Sequence, residues 1–255
     1  MIKRIVLSTL FSVFLLSAMV VTSSAQPRTA GVTAGNWFKY GTMGVSWTSN
    51  DPSATFPPSG YEFLEEMNET EWLLMSVLDV SGTNVTCQGT MHYKNGTEEP
   101  YGGYVDVDTG TGNMTFMAIS ANLNANDTLY TSGSYSSLTI NETIMRTYPD
   151  SIREANHLNM TYEYSYTINE TEYYYYYAMN FYWDRATGIY VEEYWEGINQ
   201  AGEYLTTWSA FAEITESNVW VVPEFPTWIS TLLVLVVLSV PILIYKRRKA
   251  KTLTL

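Results

Sequence analysis

The sequence predicts an all-β domain, built as an antiparallel meander between two apolar terminal segments. From Leu158 to Ile168 the even positions are apolar or aromatic and the odd positions are polar, which is the period of two typical of a strand with one buried face. Short turn sequences recur between such stretches, and no long amphipathic helix is evident. We expect about nine or ten strands, arranged as a half-barrel, a barrel or a sandwich.

The individual elements follow from the same pattern. The predicted strands cover residues 36–47, 71–80, 83–93, 101–107, 113–119, 138–147, 158–168, 172–183, 188–196 and 203–214. Turn pairs such as Ser81-Gly82, Asn95-Gly96 and Ala201-Gly202 separate many of them. Residues 26–35 are small and polar and predict a linker, and three prolines predict a loop at 49–60. A short helix is expected within 62–75 or 150–158.

The N-terminal residues 1–25 have the organisation of a signal peptide. Lys3 and Arg4 precede an uncharged run from Ile5 to Val21, and small residues follow up to Ala25. We place the cleavage after Ala25. An uncleaved N-terminal anchor is the alternative, and under either interpretation the middle of the chain is exported.

The C-terminal residues predict a membrane-spanning helix at 228–245 with a basic cytoplasmic tail at 246–255. No charge occurs in the 21 residues from Phe225 to Tyr245, and a helix of that length spans roughly 31 Å, close to the thickness of a bilayer core. Lys246, Arg247 and further basic residues follow at once, which favours a cytoplasmic end. The predicted topology is an exterior domain with a single membrane pass.

The join at 222–227 contains Pro223, Glu224 and Phe225, directly before the apolar run and the basic cluster. This arrangement resembles the archaeal PEF-CTERM sorting signal and covers about the last 33 residues. The resemblance implies an archaeal cell-surface protein whose tripeptide is read by an archaeosortase-type processing enzyme. Six residues trail the basic cluster, where the family usually ends sooner, and a plain stop-transfer anchor is the alternative interpretation.

Eight N-x-Thr sequons lie between the two apolar segments, which predicts N-glycosylation outside the membrane. A glycosylated asparagine must face water, so the sequons also test the strand pattern. In three predicted strands the sequon falls on the polar face, opposite Val85, Phe116 and Met160, for example. The eight asparagines are Asn68, Asn84, Asn95, Asn113, Asn126, Asn141, Asn159 and Asn169.

The predicted extracellular domain, residues 36–221, is strongly acidic. All 26 acidic residues fall between residues 26 and 224, against six basic ones, so this region carries about −20 although the whole chain carries −13. A polyanion would be repelled, and nucleic acid is therefore not an expected partner. The single cysteine, Cys87, forms no internal disulfide and alternates in phase with Val85, so we expect it to be a buried structural thiol.

The strand at 172–183 carries aromatic residues on both faces, including five consecutive tyrosines, and this leaves two interpretations open. It is either a central strand covered on both sides or one wall of a ligand groove, because Tyr and Trp present flat amphipathic surface to sugars and lipids. The candidate groove residues are Tyr173, Tyr174, Tyr175, Tyr176, Tyr177, Trp183, Trp195 and Trp208.

Little in the sequence points to catalysis. The two histidines, His92 and His157, have no metal-ligand or triad spacing. The Glu pairs at 65–66, 98–99 and 192–193 are adjacent, and neighbours on a strand point to opposite faces. We expect no catalytic residue, no metal site and no cofactor.

The sequence therefore predicts a non-catalytic, N-glycosylated archaeal cell-surface protein held at the membrane, which contacts envelope proteins, glycans or extracellular ligands. A half-barrel carrier or receptor for a lipid or another apolar ligand is the alternative. A secreted hydrolase is the third possibility, and clustered carboxylates in a cleft would support it.

Overall fold

The computed structural model of the protein describes residues 27–58, 60–149 and 151–220. Within these residues the chain forms nine β-strands and one short helix. The strands are β1 (Trp37–Ser49), β2 (Thr70–Ser81), β3 (Asn84–Tyr93), β4 (Glu98–Asp106), β5 (Glu142–Tyr148), β6 (Ser151–Ile168), β7 (Thr171–Asp184), β8 (Tyr190–Ala201) and β9 (Tyr204–Ser217), and the helix is α1 (Phe63–Glu69).

All nine strands belong to one antiparallel sheet in the order β4-β3-β2-β1-β9-β8-β7-β6-β5. The chain starts at the centre with β1, moves outward through β2 and β3 to β4, and then crosses to the opposite edge. From β5 it returns strand by strand until β9 pairs with β1. In the part of the chain that the structure describes, β4 and β5 each have one neighbour. The sheet is therefore open, and the all-β antiparallel prediction is confirmed.

Most predicted strands lie within a few residues of the observed ones, and the largest shift concerns β6. It begins at Ser151 instead of residue 158, so 150–158 is not the site of the short helix. Ala155 and Asn156 pair with β5 on one side and with β7 on the other, and this double pairing fixes the segment as a strand. The helix is α1, inside the other predicted window.

The segment 107–141 connects the two edge strands and lies across one face of the sheet. Its buried side chains include Met114, Ile119 and Tyr130. The strand predicted at 113–119 is wrong, because Phe116 adopts φ 74° and interrupts the extended backbone. Only an isolated bridge from Ala118 to Ile189 remains of it. The alternating apolar residues belong to an irregular cover over the core.

The two faces of the sheet differ in chemistry. The inner face, which this segment covers, carries buried residues such as Phe38, Val85 and Trp183. The outer face carries polar and charged groups, for example the ion pair between Arg146 and Glu192. One face is therefore packed and the other faces water, as the period of two in the sequence predicts.

The residues before β1 pack against the domain, although the sequence there reads as a linker. Val32 is buried, and the Arg28 Nη2 donates to the carbonyl oxygen of Thr128 at 2.9 Å. At the other end, Asn218 Nδ2 donates to the carbonyl oxygen of Gly35 at 2.9 Å. The residues just before β1 and just after β9 thus meet at one end of the sheet.

The sequon asparagines all have some access to solvent. Six are exposed, Asn68 and Asn84 are half-buried, and none is buried. At Asn95 the Thr97 hydroxyl donates to the Asn95 Oδ1 at 2.7 Å, within the turn between β3 and β4. Cys87 is buried as expected, and burial raises the pKa of its thiol to about 11.

The described residues contain no helix that is both long and apolar enough to cross a membrane. The predicted signal peptide 1–25, the tripeptide Pro223-Glu224-Phe225, the spanning helix at 228–245 and the basic tail at 246–255 lie outside those residues.

The helix α1 is fixed to the sheet through a separate small cluster. Leu64 and Trp208 are buried there, and the rings of Tyr61 and Phe63 lie 5.2 Å and 6.0 Å from the Trp208 ring. Gly197, the partner of Trp208 on β8, leaves room for the indole. A side chain at Gly197 would displace the ring that supports α1.

Replacement of Gly197 by alanine is expected to lower the free energy of unfolding by about 1–3 kcal/mol, the range for an overpacked core. The added Cβ would stand 2.3 Å from the Trp208 Cε2, and this ring is held beneath α1. Gly44→Ala is the matched control, because its Cβ meets only the exposed ring of Phe211. Urea denaturation measures both variants, and equal losses would contradict the account.

Candidate ligand cavity

A cavity of about 750 Å³ lies between the inner face of the sheet, the helix α1 and the segment 107–141. Strands from both halves of the sheet contribute to it, from Tyr101 on β4 to Met160 on β6. The sheet is therefore curled enough for distant strands to face one space. Tyr101, Tyr135 and Tyr162 line the cavity although their side chains are exposed, and they mark its opening to solvent.

The cavity wall is mainly apolar and unusually rich in methionine. Methionine is flexible and polarisable, so it adapts to ligands of irregular shape. Rings of Phe63, Phe116 and Phe181 supply flat surface between the methionines. Six of the 11 methionines in the sequence line this one cavity: Met43, Met67, Met91, Met117, Met160 and Met179.

Two carboxylates also line the cavity, Glu66 from α1 and Glu193 from β8. No lysine, arginine or histidine is among its described lining residues. The sequence neighbours Glu65 and Glu192 lie outside it, because adjacent residues of a strand or helix point in different directions. The pairs at 65–66 and 192–193 are thus each split, with one member at the cavity, whereas the pair at 98–99 lies outside it.

Glu193 is the most enclosed charged group of the site. Its Oε2 accepts a hydrogen bond from the Trp195 indole nitrogen at 2.9 Å. Burial raises the pKa of the Glu193 carboxyl, and this outweighs the opposite effect of the Tyr190 hydroxyl and the Trp195 indole. The Tyr190 hydroxyl is itself buried and interacts with this carboxyl, although no partner among the described residues lies within 3.5 Å of it.

Phe116 sits in the cavity wall with a strained backbone. Its positive φ is uncommon for a bulky residue, and two contacts hold it. The indole nitrogen of Trp183 donates to the Phe116 carbonyl oxygen at 2.7 Å, and the Phe116 amide donates to the Tyr130 hydroxyl at 3.0 Å. The Phe116 ring then stacks on Phe181 with centroids 5.4 Å apart. The cover is in this way locked to β7 beside the cavity.

The residues that the sequence suggested for a groove lie in different parts of the structure. Trp195 lines the cavity. Trp183 is fully buried in the core, and Trp208 is buried beneath α1. The five tyrosines from Tyr173 to Tyr177 are all half-buried, so neither face of that run is a filled core, and none of them lines the cavity.

The odd-numbered tyrosines of β7 form an aromatic surface with tyrosines of β6. Tyr164 stacks on Tyr175 with centroids 4.9 Å apart, and Tyr166 stacks on Tyr173 at 5.1 Å. Tyr162, the preceding inward residue of β6, belongs to the cavity. The aromatic surface therefore continues from the cavity opening along the hairpin.

The sequence alone does not mark Glu193 or the methionines as site residues. The strand alternation does place four of these methionines on the inner face of predicted strands: Met43, Met91, Met160 and Met179. Glu193 gave no such indication, because an acidic residue next to another acidic residue reads as a solvated pair.

The two histidines lie apart from the cavity. His92 stacks on Trp72 and approaches Glu98 at 3.1 Å, while His157 stacks on Tyr182 and approaches Glu142 at 3.0 Å. Across residues 27–58, 60–149 and 151–220 there is no group of three or more His, Cys, Asp or Glu residues placed to hold a metal ion.

Neither the protein-family models nor the curated proteins contain a match to this chain. We therefore infer the function from the geometry of the cavity.

The raised pKa of Glu193 predicts the direction in which the stability of the fold changes with pH. The folded protein holds this proton more tightly than the unfolded chain, so stability is greatest below the ordinary Glu range and falls as pH rises through the folded-state pKa. The titratable side chains that face it, Tyr40, Tyr101 and Tyr190, have raised pKa values and stay neutral there.

Glu193→Gln removes this loss, so its melting temperature is expected to exceed that of the parent by a few degrees at neutral pH. The difference should shrink toward about pH 4, where the parent carboxyl is protonated. Glu196→Gln, on the opposite face of β8, is the control. A constant difference across this pH range would contradict burial of the Glu193 charge.

Proposed function

We propose that the chain is a non-catalytic, membrane-held cell-surface protein whose half-barrel domain binds an apolar ligand. The observation that carries the proposal is the methionine-rich cavity of about 750 Å³. Small-molecule sites typically measure about 300–1,000 Å³, with apolar walls and few polar groups. The cavity matches that description in size and chemistry.

The packing around the cavity supports a binding role over a packing defect. Protein interiors are close-packed and rarely keep voids much larger than a water molecule. The neighbouring core follows this rule, since the space among Phe38, Cys87 and Met114 measures about 10 Å³. The much larger space beside this well-packed core opens to solvent between exposed tyrosines, which is the form of a binding cleft.

The proposed location rests on the sequence, with support from the positions of the sequons. None of the eight sequon asparagines lines the cavity, so glycans attached there would leave the ligand site open. Asn84 and Asn159 lie on the outer face, opposite the inward residues of β3 and β6. Glycans on that face would extend into the surroundings of the cell.

Binding of Nile red, an uncharged apolar dye, tests the proposed function. Leu73 lines the cavity from β2, and Leu73→Trp fills part of it, so we expect the dissociation constant to rise at least about tenfold. Leu138→Trp fills it from the covering segment and should act in the same way. Leu78→Trp is the matched control, because Leu78 is exposed on the same strand.

Circular dichroism and thermal melts establish that the three variants fold. The absence of dye binding by the parent protein would contradict the proposal. Equal affinity in the parent and in both filled variants would contradict the cavity as the binding site.

Intact-mass measurement of the native protein tests the proposed location. We expect a mature chain that begins at or near Gln26, with a mass above that of the peptide by several glycans. An unmodified chain that begins at Met1 would be incompatible with export and glycosylation.

A further inference from the structure

The apolar cavity contains one carboxyl group with spare capacity to bind a ligand. The Glu193 carboxyl accepts a hydrogen bond from the Trp195 indole at Oε2 and interacts with the Tyr190 hydroxyl, and its side chain stays half-buried at the cavity wall. A carboxylate offers about four acceptor positions, so these two protein donors leave room for the polar end of a ligand.

The charges around the cavity restrict what that polar end is. The described basic residues are engaged elsewhere: Lys39 with Glu216, Arg146 with Glu192 and Arg153 with Asp184, for example. Arg28, Lys94 and Arg185 bind Thr128, Asn68 and Glu154. An anionic head in the cavity would have no counter-charge and would meet the carboxyl groups of Glu66 and Glu193.

We propose that Glu193 receives the polar end of the ligand, so that the cavity takes long-chain amphiphiles with a hydroxyl or amine head and excludes those with a carboxylate head. The hydrocarbon chain lies among the methionines, and the head donates a hydrogen bond to the Glu193 carboxyl. A hydroxyl or an amine supplies that donor, whereas a carboxylate does not. This inference rests on the proposed function and names the ligand class of the same site.

The burial of the Glu193 carboxyl supports the same assignment. The pKa of Glu193 is shifted upward, so the carboxyl tolerates a neutral partner without a compensating cation. An amine head would supply that cation itself and form an ion pair. In both cases the bound head adds a hydrogen-bond donor to the Glu193 carboxyl.

Competition among three probes with the same hydrocarbon chain tests the inference. Dodecanol, dodecylamine and dodecanoate are compared below their micelle concentrations, at neutral pH, for displacement of Nile red from the full ectodomain. We expect dodecanol and dodecylamine to act at concentrations at least about tenfold lower than dodecanoate. This order is measured on the unaltered protein and needs no substitution.

Glu193→Gln keeps the size of the side chain and removes its charge. The disadvantage of dodecanoate should then fall to within about threefold of dodecanol, since the amide donates to a carboxylate. Glu196→Gln lies on the opposite face of the same strand and should keep the order of the parent protein.

The outcomes separate the two proposals. Equal displacement by the three probes in the parent would overturn the head-group inference and leave the apolar site standing. A preference that survives unchanged in Glu193→Gln would overturn the role of Glu193. Failure of the parent to bind Nile red would remove the proposed function, and the inference with it.

Discussion

The structure depends on one topological constraint, which is that the chain must cross from one edge of an open sheet to the other. Because β4 and β5 are the two edge strands and follow one another in sequence, segment 107–141 has to span the sheet. It crosses on the inner face, where Ile119, Leu129 and Tyr130 become fully buried. The same connection therefore completes the sheet and supplies the second layer of its core.

The cavity follows from how this cover meets the sheet. Near β7 the cover is tightly fixed by the Trp183 bond to the Phe116 carbonyl, and the core there is dense. Toward α1 the flexible side chains of methionine replace the close interdigitation, and the space of about 750 Å³ remains. The inner face therefore has a densely packed end near β7 and a cavity at the end near α1.

The structure shows where the acidic residues, the sequons and the aromatic residues lie, which the composition alone does not reveal. Charged pairs such as Arg146 with Glu192 lie on the solvent-facing outer face of the sheet. The sequons of β3 and β6 lie on the same face. Glu66 and Glu193 line the cavity, and burial raises the pKa of Glu193. Tyrosines of β6 and β7 extend the aromatic surface beyond the cavity opening.

The sequence by itself determined the fold class, most strand positions and the outward placement of the sequons, because alternation and turn residues are local properties. It misplaced 113–119, where the long-range contacts of Phe116 with Trp183 and Tyr130 override a strand pattern. It also gave no indication of Glu193. Which face curls inward, which connection covers it and which acid becomes enclosed depend on pairing between residues far apart in the chain. Only the tertiary structure decided them, because burial is a property of the assembled sheet.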